Sequence, residues 1–391
     1  MPDTPLDLKL RSRLPNIGTT VFTTMSALSQ SQGAVNLGQG FPDFACDPAL
    51  VDEVTRAMRE GHNQYPPMAG IVGLREGVAA KLQRLHGHAY DPGDEITITA
   101  GATQAILTAV LAVVHPGDEV IVLDPCYDSY APSIALAGGR VVRVALRSSD
   151  FRPDFDAIAQ AMTPRTRALI VNSPHNPSAS VWTSDDWAQL ESLLRPTPVL
   201  LISDEVYEHM VFDAMPHLSV AGRPGLAERA FLISSFGKTY HVTGWKVGFV
   251  AAPHALSAEF RKVHQFNVFT VNTPMQVALA RYLVDPRPYE SLPAFYQAKR
   301  DLFRAGLART PLRALPCSGT YFQCVDYSAL DPSWSTLNDV AFAERLTCEI
   351  KVAAIPLSPF YAQGTPGRIV RFCFAKSDET LGLALNRLSR L

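Results

Sequence analysis

The chain has little that would take it to a membrane, a nucleic acid or a metal. No apolar run in its 391 residues approaches the length of a membrane span. It opens Met1-Pro-Asp-Thr-Pro-Leu-Asp, without a basic segment followed by an apolar core, so no secretory leader is read there. Its six cysteines are scattered, with no C-x-x-C and no zinc-like spacing; this fits a reduced, cytoplasmic setting. The ten histidines show no H-x-x-x-H, so no metal site is expected. No G-x-G-x-x-G follows a strand and no G-x-x-x-x-G-K-[ST] occurs, which disfavours a dinucleotide or a nucleoside triphosphate. The net charge is -2 and no basic block is present, so no nucleic-acid or membrane partner is expected. There is no internal repeat, and no Ser/His/Asp or Cys/His set has motif support.

What is present is an ordinary globular composition, 47% apolar and 18% charged, with length enough for a large and a small domain. A short helix is expected around 22–30, then amphipathic helices over 48–60 and 71–85 with an exposed loop carrying Tyr65 between them. From residue 95 short apolar runs (96–99, 120–123, 141–146, 168–171, 199–202, 231–233 and 247–251) alternate with helical stretches. That alternation predicts an α/β fold: a mainly parallel sheet in a three-layer α/β/α domain. A long helix over 256–271 is followed, after about 285, by a helix at 294–308, strands at 320–325, 352–355 and 369–374, and helices near 337–350 and 378–390. The reading is a large domain over 45–285, with 1–44 and 286–391 forming an N-terminal arm and a smaller α+β domain.

Several runs end in polar or turn residues: Thr99-Ala-Gly-Ala-Thr-Gln104, Asp124-Pro-Cys-Tyr127, Asn172-Ser-Pro-His-Asn-Pro177, Ser203-Asp-Glu205 and Ser234-Ser-Phe-Gly-Lys238. Open α/β sheets bind ligands at the carboxyl ends of their strands, so these ends mark a site. Ala102, Thr103 and Gln104 open an apolar helix whose free N–H groups suit a phosphate, and Ser235 and Lys246 can add a hydroxyl and a charge. Asp204 follows an apolar strand, where a carboxylate is costly unless a cation pairs with it. Tyr127 can pack flat on a planar ligand. Lysines 238 and 246 share a polar connection between two apolar runs. A lysine amine, a phosphate cradle, a buried carboxylate and a stacking ring describe one cofactor, pyridoxal 5'-phosphate (PLP).

Ser235-x-Gly-Lys238-x7-Lys246-x-Gly248 resembles the cofactor-lysine motif of fold-type I, class I/II PLP-dependent aminotransferases. Asn36-Leu-Gly-Gln-Gly-Phe-Pro-Asp-Phe44, Asn63-Gln-Tyr65, Asp128-Ser-Tyr130, Thr243-Gly-Trp-Lys-Val-Gly248 and Arg371-Phe-Cys-Phe374 resemble its methionine and kynurenine–glutamine transaminase branch. The resemblance implies a PLP-dependent transferase-like fold and a homodimer with shared active sites. It makes Lys238 the Schiff-base lysine, with Ser235, Lys246 and the Gly101-Ala102-Thr103 turn on the phosphate. Asp204 would pair with the pyridinium nitrogen, Tyr207 and Asn176 would bond the 3′-oxygen, and Tyr127 would stack on the ring. Tyr65 would reach the phosphate of the neighbouring subunit. Arg371 would clamp the substrate α-carboxylate, helped by Asn176 and the Gly40 backbone. The chain departs from the family at Ala179 and Lys351, where glycine is usual.

Lys238 would move the proton between the substrate Cα and the cofactor, in a ping-pong exchange between an amino acid and a 2-oxo acid. A pocket lined by Phe22, Tyr65, Tyr127 and, from the neighbouring subunit, Phe269 would favour methionine, glutamine, phenylalanine, kynurenine or similar side chains over aspartate. A cysteine-S-conjugate β-lyase using the same lysine and carboxylate is the nearest alternative. A non-catalytic cofactor-binding regulator is a more distant one.

Overall fold

The structure, a computed structural model, describes residues 10–362 and 367–391, so the first nine residues of the expected arm lie outside the described residues. The chain begins with the helix Val21–Ser31, capped by Thr20, and a two-residue strand β1 (Val35–Asn36). Helices Pro48–Arg59 and Val72–His86 follow, close to the expected ranges. Then come β2 (Ile96–Thr99), β3 (Glu119–Asp124), β4 (Arg140–Ala145), β5 (Thr166–Asn172), β6 (Leu200–Asp204), β7 (Ala230–Ser235) and β8 (Gly248–Ala251).

These seven strands form one sheet in the order β2-β8-β7-β6-β5-β3-β4. Only β8 runs against its neighbours; the others are parallel to one another. The strands are apolar on both faces because helices cover both. Val120, Val122, Ile170 and Ile202 pack into a cluster with Ile106, Val110 and Phe260 from helices Ala102–Val113 and His254–Asn267. Ile121, Leu169 and Leu201, one residue out of phase, join the opposite cluster with Trp187 and Leu190. This is the three-layer α/β/α arrangement expected from the alternation of runs. Its register sets Thr99 and Ser235 beside Gly248, and Asn172 beside Asp204. The carboxyl ends of β2 to β7 and the amino end of β8 therefore share one edge.

Beyond the sheet, β9 (Arg313–Ala314), β10 (Phe322–Asp326), β11 (Val352–Ala353), β12 (Ile355–Pro356) and β13 (Ile369–Cys373) accompany helices Leu292–Leu307, Asp339–Arg345 and Asp378–Leu388. Four of them make an antiparallel sheet, β12-β13-β10-β9, while β11 pairs in parallel with β1. The single strand expected over 352–355 is thus two strands in two sheets, because Ala354 lies between them. The N-terminal segment is tied to this later part of the chain by the pairing of β1 with β11. The helix expected over 256–271 stops at Asn267. Phe269 takes a left-handed φ of 70°, and Asn272 with Pro274 starts a new helix, Thr273–Tyr282, that the periodicity did not separate. Among the described residues no helix is long and apolar enough to cross a membrane.

The two departures from glycine, Ala179 and Lys351, have φ of 63° and 62°. Both keep the left-handed backbone that glycine adopts without strain, so the turns survive the change of residue. Lys351 ends a helical turn and its ammonium donates to Gln32 Oε1 at 2.8 Å. Lys351→Gly is expected to raise stability by about 1 kcal/mol in chemical denaturation; a loss would mean that the contact with Gln32 outweighs the backbone strain.

Candidate active site

A cavity of about 340 Å³ opens at the shared strand edge. Thirteen residues singled out in the sequence line it: Phe22, Gly40, Gly101, Ala102, Thr103, Tyr127, Asn176, Asp204, Tyr207, Ser235, Lys238, Lys246 and Arg371. Two do not. Tyr65 and Phe269 are 82% and 41% exposed, with their rings edge-on to each other at 5.3 Å on the surface. Neither reaches the cavity of its own chain, because Tyr65 sits in a surface loop and Phe269 lies beyond the end of its helix.

At one end the cavity is built for an anion. Gly101, with φ 77°, follows β2 and caps the helix Ala102–Val113 without any side-chain cap, so the first helical N–H groups stay uncommitted. Lys246 reaches this turn: a Cβ on Gly101 would lie 3.2 Å from Lys246 Nζ. A Cβ on Gly248 would lie 2.6 Å from the Ser234 carbonyl oxygen and 3.2 Å from the Gly101 backbone, so a bare backbone at Gly248 lets the turn and the strand meet. Ser235, the last residue of β7, completes the wall. Lysines 238 and 246 do not share one irregular loop. Lys238 lies on a short helix, Phe236–Thr239, and Lys246 follows a 3₁₀ turn with φ 54°. The chain is wound between them, and the two amines stand apart in the cavity wall.

At the other end is Asp204, buried at the tip of β6. Among the described residues no lysine, arginine or histidine forms an ion pair with it. Tyr130 donates its hydroxyl to Asp204 Oδ2 at 2.6 Å and the Val206 N–H donates to Oδ1 at 3.3 Å. Burial pushes the carboxyl up to about 6, and the two hydrogen bonds only moderate that rise. Behind it Asn172 Nδ2 donates to the Asp204 carbonyl at 2.8 Å, and Asn172 Oδ1 accepts from the Asn176 N–H at 2.8 Å. The Ser173–Pro174 and Asn176–Pro177 bonds in this turn are cis.

Arg371, on β13, is 1% exposed and has no carboxylate partner among the described residues. One guanidinium nitrogen donates to Asn176 Oδ1 at 2.5 Å and another to the Gly38 carbonyl at 3.1 Å. The group lies 3.8 Å over the Phe322 ring, and its Nε has no partner. With its oxygen on Arg371, Asn176 has only amide N–H donors left to offer. Lys238 stands between the two ends. Desolvation brings its ammonium down to about 8, and Arg371 and Lys246 push in the same direction.

The cavity thus presents an anion cradle, an acid lacking a cation, a guanidinium lacking an anion, and an amine that is readily neutral. Phe322 also lines it, and Tyr130, Tyr321 and Gly38 bond to its lining residues; none was assigned a role from sequence. Tyr130 and Gly38 stood in the quoted Asp128-Ser-Tyr130 and Asn36–Phe44 motifs, while Tyr321 and Phe322 come from a distant part of the chain.

The class I and II aminotransferase family matches residues 32–388, and the chain belongs to it. Methionine aminotransferase of Escherichia coli (strain K12) is 51% identical over 382 residues, 97% of this chain and 98% of that protein. Kynurenine–oxoglutarate transaminase 3 of Rattus norvegicus is 34% identical over 406 residues, covering 97% of this chain and 89% of its own length. Among solved structures, YbdL from Escherichia coli, described as having a methionine aminotransferase function, superposes with a TM-score of 0.96, at 51% identity and covering 99% of this chain and 100% of its own. N-succinyldiaminopimelate aminotransferase from Mycobacterium tuberculosis follows at TM-score 0.92, with 42% identity over 97% of this chain and 99% of its own.

The Asp204–Tyr130 bond has a measurable consequence. A carboxyl whose folded pKa is raised adds stability below its ordinary pKa and loses it as pH rises through the folded value, here about 6. Tyr130→Phe removes the stronger hydrogen bond to the charged form. The Asp204 titration, followed by infrared or NMR in protein free of small molecules, is expected to move above pH 6 and carry the stability loss with it. A midpoint that stays put or falls would mean the phenol does not stabilise the carboxylate.

Proposed function

We propose that this aminotransferase holds PLP in the cavity at the strand edge. With it, the enzyme moves the amino group of an L-amino acid bearing a large apolar, thioether or aromatic side chain to a 2-oxo acid. The observation that carries the reading is the joint presence in one cavity of Lys238, Asp204, Lys246 and Arg371, four charged groups with no ion pair among them. Each fits one part of the proposed contents. The uncapped helix turn Gly101–Thr103, Ser235 and Lys246 suit a phosphate. Asp204, buried without a cation, suits a protonated ring nitrogen. Tyr207 and Asn176 can donate to a phenolic oxygen, and Tyr127 can lie against the ring. When bound, the cofactor supplies an electron sink for the substrate Cα.

The chain's own residues would do the rest. Arg371 with Asn176 and the Gly40 backbone takes the substrate carboxylate, which answers the unpaired guanidinium and sets the Cα beside Lys238. Lys238, brought down to about 8, is partly neutral near neutral pH and can take a proton at Cα and give it back at the acceptor carbon. Tyr207, buried and held neutral because burial raises its phenol, stays a hydrogen-bond donor.

Side-chain preference rests on a second cavity of about 420 Å³ that shares Phe22, Thr103 and Tyr127 with the first. Among the described residues Ile17, Val21, Pro132 and Phe360 line it, no lysine or arginine does, and Asp128 is the one charged side chain. Asp128 would repel a second substrate carboxylate. This supports methionine, phenylalanine, kynurenine or glutamine over aspartate, in keeping with the names of the methionine and kynurenine relatives. The exposed pair Tyr65 and Phe269 fits a cytoplasmic homodimer in which each copy offers these rings to its partner's cavity, Tyr65 toward the phosphate and Phe269 toward the substrate side chain. The proposed division sets residues 45–285 as the cofactor-bearing domain and 1–44 with 286–391 as the smaller one.

Lys238→Ala is expected to fold yet lose transamination by about a thousandfold or more, with PLP removable by gel filtration. Near-native turnover would remove the assignment. Arg371→Ala is expected to raise KM for every amino acid substrate in parallel; a rise confined to one side-chain class would make the arginine a reader of side chains. Incubation with a cysteine S-conjugate and no 2-oxo acid should yield little pyruvate beyond one turnover. Sustained pyruvate release would assign the enzyme to β-elimination.

A further inference from the structure

Tyr321 does not line the cavity, yet it stands in contact with the amine that does. Its hydroxyl is 2.6 Å from the Gly40 carbonyl oxygen. A carbonyl can only accept, so Tyr321 spends its one proton there and keeps lone pairs to accept with. Lys238 Nζ donates to that hydroxyl oxygen at 2.9 Å and to the Gly40 carbonyl at 3.3 Å. Two N–H bonds of the amine are thus held by two acceptors that are themselves joined. A neutral amine has two N–H bonds and a lone pair, and an ammonium has three N–H bonds. In either state one tetrahedral position on Nζ is left uncommitted, on a side chain that forms the cavity wall.

We propose that Tyr321 is a positioning residue for the proton transfer at Lys238. Resting on the aminotransferase reading, the proposal is that Tyr321 and the Gly40 carbonyl clamp Nζ so that one fixed position serves both half-steps. That position carries the lone pair when Lys238 takes the Cα proton and the N–H when Lys238 returns it. The electron pair of the C–H bond stays on the substrate carbon, the proton passes to Nζ as an N–H that can trade with solvent, and a proton leaves Nζ for the acceptor carbon or back to Cα, so Lys238 ends as it began. Because both protonation states use the same two acceptors, the amine need not swing between them.

The surroundings hold the clamp rigid. Tyr321 is 1% exposed, with its ring edge-on to Tyr207 at 5.2 Å and to Phe322 at 4.9 Å, and tilted against Tyr296 at 5.7 Å. Gly40 is fixed by sterics, since a Cβ there would lie 2.7 Å from Phe322 Cζ. The charged and titratable groups facing Nζ are Asp204 on β6, Cys373 and Arg371 on β13, Lys246, and the two phenols Tyr207 and Tyr321. Burial keeps the Tyr321 phenol protonated, so it acts as an acceptor through oxygen and not as the base itself.

Tyr321→Phe keeps the ring and removes the acceptor. Exchange of the substrate Cα proton into deuterium oxide by the holoenzyme is expected to slow at least about tenfold, while KM for the amino acid is unchanged because Arg371 is untouched. In the full chain freed of small molecules, the pH midpoint for labelling the Lys238 amine, read by mass spectrometry of its peptide, is expected to fall because the ammonium loses an acceptor. Should Tyr321→Phe fail to fold, fluorotyrosine at 321 weakens the same oxygen as an acceptor and should move the midpoint the same way. Native exchange rate and native midpoint in the variant would overturn the clamp alone. Absence of both Cα exchange and 2-oxo-acid formation in the native enzyme would overturn the clamp and the aminotransferase reading together.

Discussion

Asp204 and Arg371 are both buried, both charged in their ordinary states, and neither ion-pairs with any side chain among the described residues. The fold holds them apart: Asp204 ends β6 of the large sheet, and Arg371 lies on β13 of the small one. Each has hydrogen-bond partners that moderate its burial without cancelling its charge: a phenol and one backbone N–H for the acid, an amide and a carbonyl for the guanidinium. Such an arrangement is costly in an isolated chain. It makes sense as one half of a set whose other half is a ligand carrying a cation toward Asp204 and a carboxylate toward Arg371.

The sheet supplies the geometry that keeps this set open. Parallel strands place five polar strand ends on one edge, and the reversed β8 brings Gly248 against both Thr99 and Ser235. Two glycines, 101 and 248, then let a helix start, a strand end and Lys246 converge where any side chain would intrude. Lys238 is set apart from this cradle by one turn of helix, close enough to feel the charge of Lys246 and far enough to keep a separate chemistry. The separation of the two lysines is thus a property of backbone shape in the 236–248 segment as much as of residue type.

Much of the site was legible because it is built from strand ends, and strand ends are local. Asp204 directly, and Ser235, Tyr127, Asn176 and the 101–103 turn within a few residues, follow apolar runs, so the runs marked these strand ends, while the specific role of each residue came from the family resemblance. Tyr321 was not legible, and Gly38 was legible only as part of a glycine motif, since their contacts to Lys238 and Arg371 span 83 and 333 residues. Apolar flanks reveal that the Asp204 carboxylate is buried, but not that the phenol of Tyr130 reaches it from the start of the helix Tyr130–Leu136. The break at Ala354 escaped notice because Val352-Ala-Ala-Ile355 is uniformly apolar, and only the pairing of β11 with β1 and of β12 with β13 divides it. Tyr65 read as lying in an exposed loop and is exposed; Phe269, read within a helix, is exposed beyond the end of one, and one chain cannot display the cavity they would serve.

The division of labour between the two lysines is the central claim, and one measurement addresses it directly. The purified protein would be mixed with pyridoxal phosphate, reduced with borohydride, digested and mapped by mass spectrometry. A single reduced pyridoxyl adduct on Lys238, with Lys246 unmodified, is the expected result. An adduct on Lys246, or none on Lys238, would contradict it.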